Sequence, residues 1–159
     1  MIDFDELIDN YLKKGFRSKT IGRYYPSEVG GCLRKTWFSY KKPKEREKGV
    51  MRIFEAGNRM HDFITEVIES EKNPHVVLLE TEIPVKILEQ DFLISGRIDD
   101  LVLLKINNEK YLVEVKSTKY LPKEPNKSHE MQLQLYMHSK GIHNGIILYM
   151  QKDNFSLHS

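Results

Sequence analysis

Hydrophobic and polar positions alternate along this chain with two periods, one typical of helices and one typical of strands. Helical spacing covers residues 4–15, 27–42, 50–71 and 128–141. Runs rich in β-branched residues and leucine cover residues 76–88, 91–106, 111–118 and 144–151. This order predicts an α/β fold with a mixed β-sheet of about four to five strands flanked by helices. We expect an antiparallel meander followed by a crossover helix to a further strand.

Capping residues and apolar spacing predict the ends and the inward faces of the helices. The predicted caps and terminators are Asp3 and Gly15 for the first helix, Ser27 and Pro43 for the second, and Ser128 and Gly141 for the last. The apolar residues predicted to face the core are Phe4, Leu7, Ile8, Tyr11 and Leu12 in the first helix, and Ile53, Phe54, Met60, Phe63, Ile64, Val67 and Ile68 in the long third helix.

The size and composition of the chain are those of one globular domain. It has 159 residues, of which 40% are apolar and 30% charged, so it can form a core and is too apolar for a disordered chain. No apolar run approaches the roughly 18 residues that a membrane-spanning helix needs, and the N-terminus lacks a signal-peptide pattern. We therefore expect a cytoplasmic protein with no membrane partner. The single cysteine, Cys32, fits a reducing compartment.

Positive charge is concentrated near the N-terminus. Residues 13–48 carry twelve Lys and Arg against three Glu, although the net charge of the whole chain is only +2. A basic segment beside an acidic body favours a polyanionic partner such as DNA, and a solvated lysine-rich surface is the alternative. Some of the interleaved aromatic residues could stack on bases, and more of them are expected in the core. The aromatic residues interleaved in this basic segment are Phe16, Tyr24, Tyr25, Trp37, Phe38 and Tyr40.

Three ionisable residues, Asp99, Glu114 and Lys116, stand among core-type residues in the segment GRIDDLVLLKINNEKYLVEVKST. Side chains two apart in a strand share a face, so Glu114 and Lys116 project together. If Asn107 and Asn108 form a two-residue hairpin turn, the pairing of the two strands is fixed. In that register Asp99 lies opposite Lys116 and diagonal to Glu114, so the two carboxylates can share one divalent cation.

Two carboxylates and a lysine in this arrangement favour phosphodiester hydrolysis. A cation held by the carboxylates acidifies a bound water, and the lysine ammonium orients that water or stabilises developing negative charge. In the alternative interpretation, Asp99 and Lys116 form a structural cross-strand ion pair, and Glu114 lies at a solvated edge.

Two predicted helices carry further polar residues. Gln132 and Tyr136 are four residues apart and lie on one face of the last helix. His61 lies on the long helix and could supply a third protein ligand through an imidazole nitrogen. His129 and His138 flank the Gln132–Tyr136 face and could contact phosphate, although surface histidines are common.

Four short motifs follow one another along the chain: G-x-x-x-H at 57–61, G-x-x-D at 96–99, E-x-K at 114–116 and Q-x-x-x-Y at 132–136. In this order, over roughly residues 25–151, the sequence resembles the RecB-like branch of the PD-(D/E)XK nuclease superfamily. The resemblance implies a restriction-endonuclease-like core in a single nuclease domain, residues 1–159. Within it, residues 1–48 form a basic N-terminal helical region and residues 49–152 a metal-binding nuclease core.

The resemblance also implies a role for each motif residue. Ligands of Mg²⁺ or Mn²⁺ would be the side chains of His61, Asp99 and Glu114 together with the backbone carbonyl of Val115. Lys116 would position the attacking water. Gln132 and Tyr136 would support the active site and contact the DNA strand.

The segment PSEVGGCLRKTWFSY is similar to an element of the CRISPR-associated RecB-like exonucleases, with Leu33 in place of their usual proline. There the cysteine that corresponds to Cys32 is the first of four ligands of an iron–sulfur cluster. Because this chain has one cysteine and a cluster needs about four thiolates, no iron–sulfur cluster is expected. Either the chain is shortened or it is a family member that lost the cluster, which we favour. Cys32 is then expected to be a small buried hydrophobe.

The expected function is that of a metal-dependent DNA nuclease, an exonuclease acting on single-stranded or frayed DNA ends. Its expected partners are DNA with free ends and other proteins of DNA processing. The alternative is a catalytically weak or inactive nuclease-fold module that binds DNA or protein.

Overall fold

The computed structural model describes residues 2–13 and 18–159, in which four helices flank a six-stranded mixed sheet. The elements are α1 (Phe4–Leu12), β1 (Arg23–Tyr24), a 3-10 turn (Pro26–Glu28), α2 (Leu33–Lys41), α3 (Lys48–Glu69), β2 (Val76–Leu88), β3 (Leu93–Leu104), β4 (Glu109–Thr118), α4 (Lys127–Lys140), β5 (Gly145–Gln151) and β6 (Leu157–His158). No helix in these two described ranges is long and apolar enough to cross a membrane.

The sheet combines antiparallel and parallel pairing. Strands β2, β3 and β4 form an antiparallel meander, and α4 then crosses over to β5, which runs parallel to β4. The predicted α/β fold and its mixed sheet are therefore confirmed. The sheet has six strands instead of four to five because β1 joins β3 and β6 joins β5. Each of these two strands has only two residues, too few to show a period in the sequence.

The predicted helix ends are partly confirmed. The Asp3 carboxylate accepts the N–H groups of Asp5 and Glu6 and so caps α1. Gly141 ends α4 with a φ of +64°, a conformation that glycine adopts without a steric penalty. Gly15, the predicted end of the first helix, lies outside the described residues.

Two predicted N-caps are wrong. The residue that caps α4 is Asn126, whose side chain accepts the N–H of Ser128. Ser27 lies in the 3-10 turn, and α2 begins only after Cys32. Gly30 lies between the 3-10 turn and α2, and its φ of +74° interrupts helical geometry there.

The predicted hairpin register is also wrong, by two residues. The β3–β4 loop has four residues, because Leu104 pairs with Glu109 and the ladder continues to the pair Asp100 and Val113. Extended by one residue, this register sets Asp99 opposite Glu114 instead of opposite Lys116. Asp99 nevertheless lies beside the E-x-K strand, because its carboxylate accepts the N–H of Val115.

The core has two parts, one on each side of the sheet. Under α3, Met60 and Ile64 pack against Val102, Val113, Val115 and Met150. Under α4, Leu133 and Tyr136 pack against Ile83, Val85, Ile98 and Leu112. The alternation along β4 therefore directs Val113 and Val115 towards α3, and Leu112 and Glu114 towards α4.

Part of the predicted apolar faces is not buried. In α1 only Leu12 is buried, and in α3 only Met60 and Ile64 are. The exposed members include Phe4, Leu7, Ile8, Tyr11, Ile53, Phe54, Phe63 and Val67. Salt bridges join the two helices: Arg52 of α3 binds the carboxylates of Asp5 at 2.6 Å and Asp9 at 2.8 Å.

Candidate functional site

The predicted site residues meet where β3 and β4 separate. The last paired residues are Asp100 and Val113, and beyond them Oδ2 of Asp99 accepts the N–H of Val115 at 2.7 Å. The N–H and C=O of one strand residue point to the same side of the strand, so the Val115 carbonyl also faces this gap. The gap thus collects a carboxylate and a backbone carbonyl, both of which are oxygen donors suited to hard cations.

Glu114 lies beside this gap and is only 3% exposed. Its Oε1 accepts hydrogen bonds from Nζ of Lys116 at 2.6 Å and from Nε2 of Gln132 at 2.7 Å. Its Oε2 is buried and has no hydrogen-bond partner among the described residues. A buried carboxylate oxygen without a partner is costly, and a bound cation would supply the missing interaction.

Two neighbouring carboxylates also leave an excess of negative charge. The pKa of Glu114 is raised to about 7, first by burial and then by the charge of Asp99, while Lys116 acts in the opposite direction. Binding a cation would relieve the repulsion between the two carboxylates.

Lys116, Gln132 and Tyr136 form one hydrogen-bonded network. Nζ of Lys116 donates to Oε1 of Gln132 at 3.1 Å, and Nε2 of Gln132 donates to the Tyr136 hydroxyl at 2.9 Å. Both hydrogens of the Gln132 amide are thereby used, one by Glu114 and one by Tyr136. The structure therefore brings together the E-x-K strand and the Q-x-x-x-Y helix, and Gln132 holds Lys116 in place.

His61 approaches the site from α3. Its Nδ1 lies 3.4 Å from Oδ1 of Asp99, the oxygen that does not bind Val115. Burial by itself lowers the pKa of His61, but the contact with Asp99 and the charge of Glu114 outweigh burial, so the pKa is raised.

The donor groups of these residues are of the kinds that bind divalent cations: two carboxylates, an imidazole and a backbone carbonyl. One buried carboxylate oxygen among them has no partner among the described residues. In residues 2–13 and 18–159, however, no three His, Cys, Asp or Glu side chains already lie in metal-coordinating geometry. His61 is paired with Asp99, and Glu114 with Lys116. A complete ligand set would therefore require side-chain movements if a cation bound here.

Sequence reasoning missed Asp100, which is 0% exposed. The Thr65 hydroxyl donates to its carboxylate at 3.1 Å, which ties α3 to β3 one turn after His61. Burial raises the pKa of Asp100, and the nearby hydroxyl groups of Thr81 and Thr65 oppose this. The sequence did contain one signal. Asp99 and Asp100 are adjacent in a predicted strand, where successive side chains point to opposite faces, so the two carboxylates were bound to have different surroundings.

The glycines of two motifs allow close packing. A Cβ at Gly96 would lie 2.8 Å from Cδ of Pro26 and 3.5 Å from the Tyr136 hydroxyl. A Cβ at Gly57 would lie 3.2 Å from Oγ of Ser117. Gly96 therefore lets the 3-10 turn cross β3 beside the site, and Gly57 lets α3 approach β4.

Replacing Gly96 by alanine is expected to destabilise the fold by about 1 to 3 kcal/mol, because the added methyl group overlaps the Pro26 ring. Urea unfolding would measure the loss. Gly49→Ala is the matched control, since Gly49 lies in α3 with nothing within 4 Å of the added Cβ, and its stability should stay equal or rise slightly. Equal stability of both variants would contradict the tight contact.

The basic segment contributes a surface helix. Helix α2 has no buried residue and carries Arg34, Lys35 and Lys41 without an acidic residue. Trp37 is 53% exposed and Phe38 39%, and their rings meet edge to face at 4.9 Å. The other predicted aromatic residues of the described chain, Tyr24, Tyr25 and Tyr40, are half-buried, and Phe16 lies outside the described residues.

The expectation that Cys32 is buried is wrong. Cys32 is exposed because it is the N-cap residue of this surface helix. Pro26 is instead the buried residue of the segment, fixed by its contact with β3.

Comparisons with known proteins address the fold. No family model matches the chain, and no curated protein matches it. The chain is similar to the crystal structure of SSO0001, a Sulfolobus protein with a RecB-like nuclease-type fold, with a TM-score of 0.68 and 21% sequence identity. The similarity covers 98% of this chain and 76% of that chain. At this identity it shows the fold alone, and the chain has the α/β nuclease-like core that it shares with SSO0001.

Proposed function

We propose that this protein is a divalent-metal-dependent deoxyribonuclease of the RecB-like branch, close to the CRISPR-associated exonucleases, and that it trims single-stranded or frayed DNA ends. One observation carries the proposal: the buried, unpaired Oε2 of Glu114 next to Asp99 and Lys116. The fold shared with SSO0001 supports it. A cytoplasmic location and partner proteins in DNA processing belong to the same proposal.

The metal-binding residues would be Asp99, Glu114 and His61 with the carbonyl of Val115. When bound, Mg²⁺ or Mn²⁺ would polarise a phosphoryl oxygen and acidify a water. Hydrogen bonds already direct both carboxylates to this gap, that of Asp99 from the Val115 N–H and that of Glu114 from Lys116 and Gln132.

Lys116 has a separate task. Its ammonium group has three hydrogens, of which Glu114 and Gln132 accept two. The third has no acceptor among the residues that the structure describes, so it could hold the attacking water or a phosphoryl oxygen. Because the ammonium is largely shielded from solvent, its charge would stabilise developing negative charge more strongly than a surface lysine could.

The basic helix α2 would hold the strand. Its exposed Trp37 and Phe38 offer faces for unpaired bases, and its cations offer contacts to phosphate. Unpaired bases stack on aromatic side chains more readily than bases within a duplex, which is why we propose single-stranded or frayed ends as the substrate.

Digestion of end-labelled single- and double-stranded linear DNA tests the proposal directly. We expect cleavage with Mn²⁺ or Mg²⁺, none with EDTA, and faster cleavage of single strands. A circular single strand serves as the control, because an exonuclease leaves it intact. Absence of cleavage under every metal condition, with a correctly folded protein, would overturn the proposal.

A second function, a nuclease-fold module that binds DNA without cutting it, is favoured by one observation. The Glu114 carboxylate already forms a 2.6 Å ion pair with Lys116, which competes with metal binding. This candidate predicts DNA binding in EDTA and in Mn²⁺ alike, without products. It also predicts that Mn²⁺ does not raise the melting temperature, since a ligand that binds the native state must stabilise it.

A further inference from the structure

His129 is held in a defined orientation that the proposed chemistry does not use. Its Nδ1 lies 2.9 Å from the hydroxyl of Tyr149, a residue only 3% exposed. The same hydroxyl accepts the N–H of Asn126 at 3.0 Å. The hydroxyl hydrogen is therefore available to Nδ1, and an imidazole that accepts at Nδ1 carries its own hydrogen on Nε2.

This imidazole lies next to the catalytic lysine. Tyr149 is the neighbour of Lys116 in the parallel β4–β5 ladder. His129 also precedes Gln132, which accepts a hydrogen bond from Lys116, by one helical turn on the same face of α4. His129 thus extends the row of functional side chains beyond Lys116, on the side away from Asp99.

The surroundings of His129 favour the neutral ring. Burial lowers the pKa of His129, and the positive charge of Lys116 lowers it further. The side chain is nevertheless only half-buried, so the imidazole edge can be reached by a ligand. A neutral N–H donor beside a cationic ammonium suits an anionic oxygen such as that of a phosphodiester.

We propose that His129 binds a phosphate oxygen of the nucleic-acid strand, next to the bond that is cut, through a neutral Nε2–H. This inference rests on the proposed nuclease function and adds a substrate-binding residue to it. A neutral donor releases no counterion, so its loss weakens binding equally at all salt concentrations. A lysine or arginine contact behaves differently, because its loss flattens the salt dependence.

Binding of a fluorescent single-stranded oligonucleotide in EDTA, over a range of salt concentrations, tests this inference. We expect His129→Ala to bind about tenfold more weakly, with an unchanged slope of log K against log salt. His129→Gln, which retains a donor near the Nε2 position, should recover part of the loss. Tyr149→Phe, which removes the hydroxyl that orients the ring, should give a smaller loss.

Two controls accompany these variants. His143→Ala changes an exposed histidine just beyond the end of the same helix and should bind as the wild type does. Lys35→Ala in α2 should lower the salt slope by about 0.7, as expected for one lost phosphate contact on a single strand.

Wild-type affinity in His129→Ala would overturn the inference, and so would a slope reduced by about 0.7 in that variant. In either case wild-type cleavage with Mn²⁺ would leave the nuclease proposal standing. A wild-type protein that neither binds nor cuts DNA would instead overturn the nuclease proposal and this inference together.

Discussion

Replacing Lys116 by methionine is expected to lower kcat/KM for single-stranded DNA about a hundredfold to a thousandfold at saturating Mn²⁺. The variant keeps the length and the apolar stem of the side chain but removes the ammonium that Glu114 and Gln132 hold. Because the lost charge acts on the transition state, the decrease should lie in kcat more than in KM.

Lys119→Met is the matched control for this experiment. Lys119 lies three residues further along the chain, is exposed, and its ammonium lies over the Tyr120 ring. The two variants lose the same charge, so a similar decrease in both would show that Lys116 acts only through the general field of the protein. Unchanged cleavage in Lys116→Met would exclude the nuclease role assigned to this residue.

Replacing Glu114 by glutamine is expected to abolish cleavage and to stabilise the metal-free protein at high pH. The pKa of Glu114 is about 7 in the folded protein against an ordinary value of 4.5, so folding favours the protonated carboxyl. Wild-type stability therefore falls as pH rises from about 4.5 to about 7, and the loss is complete above that range. We expect a difference of about 1 to 3 kcal/mol at pH 8, vanishing near pH 4.

Urea unfolding in EDTA across this pH range would measure the difference, with the exposed Glu66→Gln on α3 as the control. The glutamine Oε1 can still accept from Lys116 and Gln132, so the network keeps its geometry. Added Mn²⁺ should raise the melting temperature of the wild type and not that of Glu114→Gln. A clear loss of stability in the variant at pH 8 would favour the structural ion pair over the metal site.

The parts of the fold that were predictable are those with long periodic segments. Strands β2 to β5 are each seven residues or longer, and their order along the chain fixes a meander followed by a crossover. The apolar spacing of α1 was misleading, because that helix is attached through the carboxylates of Asp5 and Asp9. Spacing alone does not distinguish a face that is buried from one that is left open.

The site was predictable to the extent that it depends on local spacing. The two-residue interval of Glu114 and Lys116 and the four-residue interval of Gln132 and Tyr136 place each pair on one face. The position of Asp99 depended on a loop whose length was misjudged by two residues, and the contact of its carboxylate with the Val115 N–H could not be read from the sequence. The role of Asp100 depends on its contact with Thr65 on another element, which no local pattern contains.

The pairing of β1 with β3 limits which fragments of this protein can be expected to fold. The N-terminal region covers Leu93 and Ile94 on the β3 edge that faces β4, through β1, and Pro26 covers the face of β3 at Gly96. A fragment that begins at residue 49 would uncover both places and leave backbone groups open to strands of other molecules. We therefore expect the basic N-terminal region and residues 49–152 to fold as one unit, although their charges and predicted tasks differ.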